Sequence, residues 1–331
     1  MNEPDPNQSS EPTVSPVSII RVEDPASSRQ VAAAYIESAK PGITRMVTIT
    51  AAVGFVLAAL GRDHWTIGEL VRTGLGTIIG TALASAGANA LNMWYEADTD
   101  ALMHRTRKRP IPTGRLSRNE TVKLGIWLSV IGVFITMLLA GTAAALICLL
   151  CIASYVLLYT PMKTRTIWNT LLGTIPGALP PMIGAAAASE AIGPQALRSP
   201  IGWTLVALMV VWQIPHFLAI AWLHREDYAR GGQRMLPVID PTGRITSIVI
   251  VATAILLLPV TLAPAFVMPS LGVATLSVAA ITGIAYIALC IRLAIRRTNT
   301  DAKIVFFASI SHLPLLLLVM VADAGISALI A

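Results

Sequence analysis

An all-α fold, a polytopic membrane protein with nine transmembrane helices, follows from three features of the sequence. Only 13% of the 331 residues are charged, about half the ~25% usual in soluble domains. Hydrophobic residues make up 55% and gather in runs long enough to cross a hydrocarbon core of about 30 Å. The basic residues between those runs are unequally shared. With the N-terminus in the cytoplasm, every lysine and arginine falls inside except Arg62, Arg72 and Arg198. That asymmetry obeys the positive-inside rule, and an odd number of spans puts the C-terminus outside. Removing or adding one span would scramble it. The net charge of +6 therefore reads as topology, and no zinc spacing or RNA-binding motif points to nucleic acid.

Taken in order, residues 1–40 are rich in proline, serine and acids and lack a sustained apolar period, so they read as a disordered cytoplasmic tail. The tail has neither the basic start nor the apolar core of a secretory signal and is too acidic for a mitochondrial transit peptide. A bacterial plasma (inner) membrane is the expected location. The membrane domain fills 41–331, with spans predicted at 43–60, 72–95, 121–140, 143–160, 167–188, 201–222, 246–268, 271–291 and 303–329. Pro176, Pro180 and Pro181 interrupt the fifth and Pro215 the sixth. Proline removes a backbone donor, and at membrane depth the freed carbonyls need protein or a water-filled cavity to satisfy them. These prolines point to a central cavity. Cys148 and Cys151 form a C-x-x-C inside an apolar run with no charge to lower a thiol pKa, and lipid-buried packing is their expected role.

The stretch from Asn89 to Pro110 carries the first chemistry. Asn92, Glu96 and Asp100 recur every four residues, so a continuing helix stacks them on one face. Two carboxylates and an amide in a row are hard oxygen ligands, which suit Mg²⁺ that must also hold a phosphate. Arg105, Arg107, Lys108 and Arg109 follow at once, and guanidinium forks suit phosphate or carboxylate groups. A second cluster runs from Trp212 to Gly232. His216 lies near the polar end of the sixth span, where an ionisable residue is costly and usually functional, among Trp212, Phe217 and Trp222. The structural alternative is a histidine that packs and bonds a carbonyl freed by Pro215. Glu226 and Asp227 offer further oxygen ligands, with Tyr228 and Arg230 beside them. Tyr159, Lys163, Arg165 and Asn169 form a weaker third group. His312, in the ninth span, reads as structural.

At these clusters the sequence resembles the UbiA superfamily of intramembrane prenyltransferases, and within it the haem O synthases. The signature N-x-x-x-D-x-x-x-D stands as Asn92, Glu96 and Asp100, with glutamate in the first acidic place. The stretch M-H-R-T-R-K-R-P-I-P-T-G-R is similar to a family element, as are G-A-L-P-P-M-I-G at 177–184, W-Q-I-P-H-F and R-E-D-Y-A-R-G-G. The second acidic motif departs from the pattern, because Gly231 stands four residues after Asp227. The resemblance spans about residues 40–325. It implies a UbiA-like bundle around a central cavity and transfer of a farnesyl group from farnesyl diphosphate to a vinyl group of haem B, with water added, giving haem O. Mg²⁺ would be held by Asn92, Glu96, Asp100 and Asp227. Catalysis would involve these residues with Arg105, Arg109 and His216. Substrate contacts would fall to Arg105, Lys108, Arg109, Tyr159, Lys163, His216, Tyr228 and Arg230. The implied partners are the bilayer, haem A synthase and terminal oxidase assembly proteins.

Two other classes compete. A UbiA relative with a quinone-precursor or chlorophyllide acceptor has no need of His216. A non-enzymatic haem-binding assembly factor or transporter has no need of Glu96 and Asp100; a transporter would also carry its polar residues in mid-span and show internal repeats.

Overall fold

The structure, a computed structural model, describes residues 28–191 and 193–330. Those residues form helices and connecting turns, with no strand among them. Among the described residues nine helices are long and apolar enough to span a membrane, and each overlaps one predicted span. They are α2 (Pro41–Leu60), α3 (Ile67–Tyr95), α5 (Arg118–Ala140), α6 (Thr142–Met162), α7 (Asn169–Ala188), α8 (Pro200–Leu223), α10 (Arg244–Val267), α11 (Val273–Arg296) and α12 (Asn299–Ile330). Shorter helices decorate the polar side, among them α1 (Ser28–Ser38), α4 (Ala97–Leu102) and α9 (Arg225–Arg230). The helix α1 falls within the segment read as tail; residues 1–27 of that tail lie outside the described residues.

The bundle is built around α3, α7 and α8, whose apolar windows are 56%, 78% and 61% buried. Helix α7 packs on α2, α3, α6 and α8, while α10, α11 and α12 complete the ring behind α8. Helices in lipid gain no hydrophobic drive from meeting each other, so close packing through small residues holds them. A Cβ at Gly54 would sit 2.0 Å from the Pro181 carbonyl oxygen, and one at Gly184 would sit 1.9 Å from that of Ala51. Glycine lets α2 and α7 touch backbone to backbone. The same device joins α3 to α5 at Gly87 and Gly132.

Local sequence fixes the helix ends that matter for the site. Ser117 and Glu120 form a reciprocal capping box that starts α5. Lys40 precedes Pro41 in a left-handed conformation, φ 46° and ψ 69°. Such backbone is uncommon for a residue with a side chain and clusters at functional sites. Helix α6 holds a π-helical stretch over Ser154–Tyr159, another feature common at functional positions. Helix α7 breaks at Leu179, between Asn169–Ala178 and Pro180–Ala188.

Candidate active site

The chain from α3 into α4 keeps its helical ladder across the break at Glu96: Glu96 N–H donates to Asn92 (2.9 Å) and Asp100 N–H to Glu96 (2.8 Å). Asn92, Glu96 and Asp100 therefore stack on one face as their spacing predicts, and all three are buried. Each meets a cation brought from elsewhere. Lys40 Nζ donates to Asn92 Oδ1, Lys163 Nζ pairs with Glu96 Oε1 at 2.6 Å, and Arg109 Nη1 pairs with Asp100 Oδ2 at 2.6 Å. Burial resists ionisation of Glu96, but Lys163 and Lys40 outweigh it and hold the carboxyl below its usual range. Burial, with the charges of Arg109 and Lys163, pulls Lys40 down to about 7 against the pull of Glu96 and Asp100. For Lys163 burial is outweighed by Glu96, which holds its ammonium charged.

The two long polar loops are clasped together by Asp227. Its Oδ1 accepts from His104 N–H (3.0 Å) and Arg230 Nη2 (2.6 Å), and its Oδ2 from Arg105 N–H (3.1 Å). Hydrogen bonds from Arg230 and from those backbone amides outweigh desolvation and hold the carboxyl at about 2. Arg105 then reaches Tyr228, donating from Nη2 to its hydroxyl at 3.1 Å. Asn169 ties down the remaining turn, donating to the carbonyls of Thr166 and Arg234 at 2.7 and 3.0 Å.

Between these loops and the centre of the bundle lies a cavity of about 360 Å³. Its mouth is polar, with Lys40, Asn92, Glu96, Asp100, Arg105, Arg109, Lys163 and Tyr228. Its interior is apolar and small-residue lined, with Ala84, Ala88, Ile183 and Phe217 among the wall residues. Of the residues singled out in the sequence, the fold brings Asn92, Glu96, Asp100, Arg105, Arg109, Tyr159, Lys163 and Tyr228 to this cavity. Asp227, Lys108, Arg230 and His216 are not part of its lining. Asp227, expected among the metal ligands, has its oxygens engaged by the loop amides and Arg230. Lys108 is exposed, and its carbonyl accepts from Arg115 Nη2 at 2.6 Å.

His216 turns toward α12. Its Nδ1 lies 2.7 Å from Ser309 Oγ, and its ring stacks on Trp212 and Phe306 with centroids 4.6 and 5.2 Å away. It does not bond a carbonyl freed by Pro215; Ser309 is its partner. Cys148 and Cys151 line the cavity, which corrects the expectation of lipid-buried packing. Cys151 Sγ donates to the Pro176 carbonyl at 3.0 Å. That carbonyl sits four residues before Pro180, whose missing N–H leaves it free. Of the prolines singled out in the sequence, Pro176 lines the cavity, and a thiol satisfies its orphaned carbonyl.

Sequence reasoning passed over Lys40, Tyr155 and Gln213, all of which line the cavity. The one signal available for Lys40 was its place directly before the proline that opens the first span.

The donor set fits a hard divalent cation in part. Asp100 Oδ1 is buried and has no hydrogen-bond partner among the described residues, and the Asn92, Glu96 and Asp100 oxygens share one wall. Among the described residues, however, no three His, Cys, Asp or Glu side chains gather closely enough to hold a metal alone. Mg²⁺ is usually held by one or two carboxylates together with substrate phosphates, and this wall provides that half of the shell.

Residues 47–311 match the UbiA prenyltransferase family. The protoheme IX farnesyltransferase of Solibacter usitatus is 41% identical over 87% of this chain and 98% of its own length. That of Opitutus terrae is 36% identical over 87% and 94%. Among solved structures, a digeranylgeranylglyceryl phosphate synthase covers 89% of this chain and 99% of its own, with TM-score 0.71 at 15% identity. A UbiA homolog from Archaeoglobus fulgidus bound to DMAPP and Mg²⁺ covers 87% and 99%, with TM-score 0.50 at 13% identity. At such identities the structural likeness speaks to the fold.

Proposed function

The chain belongs to the UbiA prenyltransferase family, and from that premise we propose that it transfers the farnesyl group of farnesyl diphosphate to a vinyl group of haem B, giving haem O. The observation that carries this reading is the cavity itself: a buried oxygen row ringed by Lys40, Lys163, Arg105 and Arg109 at the mouth of an apolar chamber. A charged diphosphate belongs at such a mouth and an isoprenoid chain in such a chamber. The acceptor is taken from the relatives, which are 41% and 36% identical over most of their length and are named for protoheme IX.

The donor's C1–O bond ionises and its electron pair leaves on the diphosphate. The terminal vinyl carbon of haem B bonds to C1, and water adds to the neighbouring electron-poor carbon and gives up a proton. Asn92, Glu96 and Asp100 would hold Mg²⁺, and the chemistry that bound Mg²⁺ supplies is neutralisation of the leaving diphosphate. Lys40, Lys163, Arg105 and Arg109 are placed to take up phosphate charge, which grows as the bond breaks. The apolar wall keeps water from quenching the allyl cation early. Asp227 acts by holding the Arg105 backbone in place.

Contact of His216 with haem belongs to the same proposal. Ser309 Oγ donates to the Phe306 carbonyl at 2.6 Å, so its single proton is committed and His216 Nδ1–H must donate to it. His216 Nε2 then keeps its lone pair, the atom that an iron ligand needs. The positive-inside count supports a cytoplasmic N-terminus and cytoplasmic site loops, in a bacterial inner membrane with haem A synthase or oxidase assembly proteins as recipients of the product.

Expression in a bacterial host lacking its own haem O synthase tests the reading. Extracted haems should include one heavier than haem B by a farnesyl group plus a hydroxyl, and Asp100→Ala should abolish it. Haem B alone, with the protein folded in the membrane, would overturn the acceptor assignment.

A further inference from the structure

Two helices line the cavity along its depth. On α3 the lining runs from Asn92 at the mouth through Ala88 and Ala84 to Thr81, eleven residues that rise about 16 Å at 1.5 Å each. On α6 it runs over the same number of residues, from Tyr159 through Tyr155 and Cys151 to Cys148. At the far end the walls close. Thr81, Cys148 and Ile183 are each 2% exposed or less. Cys148 and Ile183 belong to one packed apolar cluster with Phe55, Ala144 and Ile147. The next residues along the chain leave no slack, because a Cβ at Gly80 would lie 2.1 Å from Thr136 Oγ1 and one at Gly184 1.9 Å from the Ala51 carbonyl oxygen.

We propose that Ile183, with Thr81 and Cys148, forms a floor that sets fifteen carbons as the longest prenyl chain the cavity accepts. This rests on the farnesyl-transfer reading and deepens it. An extended backbone advances about 3.5 Å per three bonds, or roughly 1.2 Å per bond. At that advance the twelve bonds from the bridging oxygen to the end of a farnesyl chain span about 14 Å, and the sixteen of a geranylgeranyl chain about 19 Å. The first fits above the floor and the second does not. A geranyl chain, at about 9 Å, leaves about 7 Å of the roughly 16 Å depth unfilled and forgoes the burial that favours the longer donor.

The test uses the full chain in nanodiscs with haem B and geranyl, farnesyl or geranylgeranyl diphosphate, singly and in competition, with products separated by mass. The wild-type protein should prefer farnesyl over each of the others by at least about tenfold in kcat/KM, over geranyl because it buries more apolar chain and over geranylgeranyl because the floor excludes the longer chain. Ile183→Ala should raise geranylgeranyl use relative to farnesyl, and Ala84→Leu, which blocks the chamber about one turn above the floor, should shift preference toward geranyl. Equal use of farnesyl and geranylgeranyl by the wild-type protein, or an unchanged ratio in folded Ile183→Ala, would overturn the floor. Thermal stabilisation by unreactive S-thiolodiphosphates of the three lengths reads the same ranking without an acceptor. If no haem product forms but the fifteen-carbon analogue still stabilises best, the acceptor reading fails and the floor stands.

Discussion

Replacing Asp227 with asparagine separates a positioning role from a metal-binding one. The carboxylate accepts from the amides of His104 and Arg105 on opposite oxygens, at 3.0 and 3.1 Å. An asparagine offers one acceptor and one donor group, so one amide loses its partner and faces an N–H₂ instead. A hydrogen bond to a charged group is worth ~1.5–3 kcal/mol. The pair with the exposed Arg230 adds only ~0–1 kcal/mol. The docked loop therefore loses about 1.5–3 kcal/mol, or ten- to a hundredfold at 1.4 kcal/mol per decade. Activity should fall by up to that factor, and the amides of residues 103–106 should exchange faster with deuterium. The Mg²⁺ concentration giving half-maximal activity should stay where it is in the wild-type protein, whereas Asp100→Asn should raise it. Equal rises in the two variants would refute the reasoning and return Asp227 to the ligand set.

Lys40→Met removes the cation on Asn92; the KM for farnesyl diphosphate should rise about tenfold, the scale of one charge-assisted contact, and an unchanged KM would take Lys40 off the diphosphate. Gly184→Val drives a side chain into the Ala51 carbonyl, an overpacking cost of ~1–3 kcal/mol or more, so melting in detergent should come several degrees earlier. His216→Gln should leave stabilisation by the unreactive fifteen-carbon analogue untouched while weakening haem binding followed by its Soret band; loss of the former would place the ring on the donor instead. The Asp227 clasp has a defined acid limit. Its folded pKa, about 2, lies below the ordinary value near 3.9, so its contribution is complete above about pH 4 and is lost as pH falls toward 2. Amide exchange at 103–106, corrected for intrinsic rate, should stay constant from pH 8 to 5, and a break near pH 6 would contradict the assignment.

The spans were legible because the bilayer imposes a length and forbids unsatisfied backbone; no such rule fixes where a helix stops in the polar layer. The second span was expected to begin at 72, yet α3 starts at Ile67, where Thr66 accepts from Glu69 N–H at 3.2 Å. The Asn92, Glu96 and Asp100 row was legible for a similar reason: its members lie on one helix, and helical geometry alone sets their mutual placement.

Contacts made across the fold follow no such local rule. A carboxylate at 227 announces oxygen chemistry but not which donors will meet it, and the amides that do are 122 and 123 residues away. The structural alternative for His216 drew on Pro215, its neighbour in sequence, whereas its partner Ser309 is 93 residues distant. Lys40 shows the harder case, in which a sufficient local explanation hides a second one. A lysine before the first span already satisfies the positive-inside rule, so its charge asks for no further cause. Only the left-handed backbone that turns its side chain back onto Asn92 demands one, because topology needs the charge but not the strain. The same logic separates Lys163 from Arg165: both satisfy topology, but only Lys163 buries its ammonium on a carboxylate. Burial of a charge that topology would have left in water is thus the structural mark of a basic residue kept for chemistry.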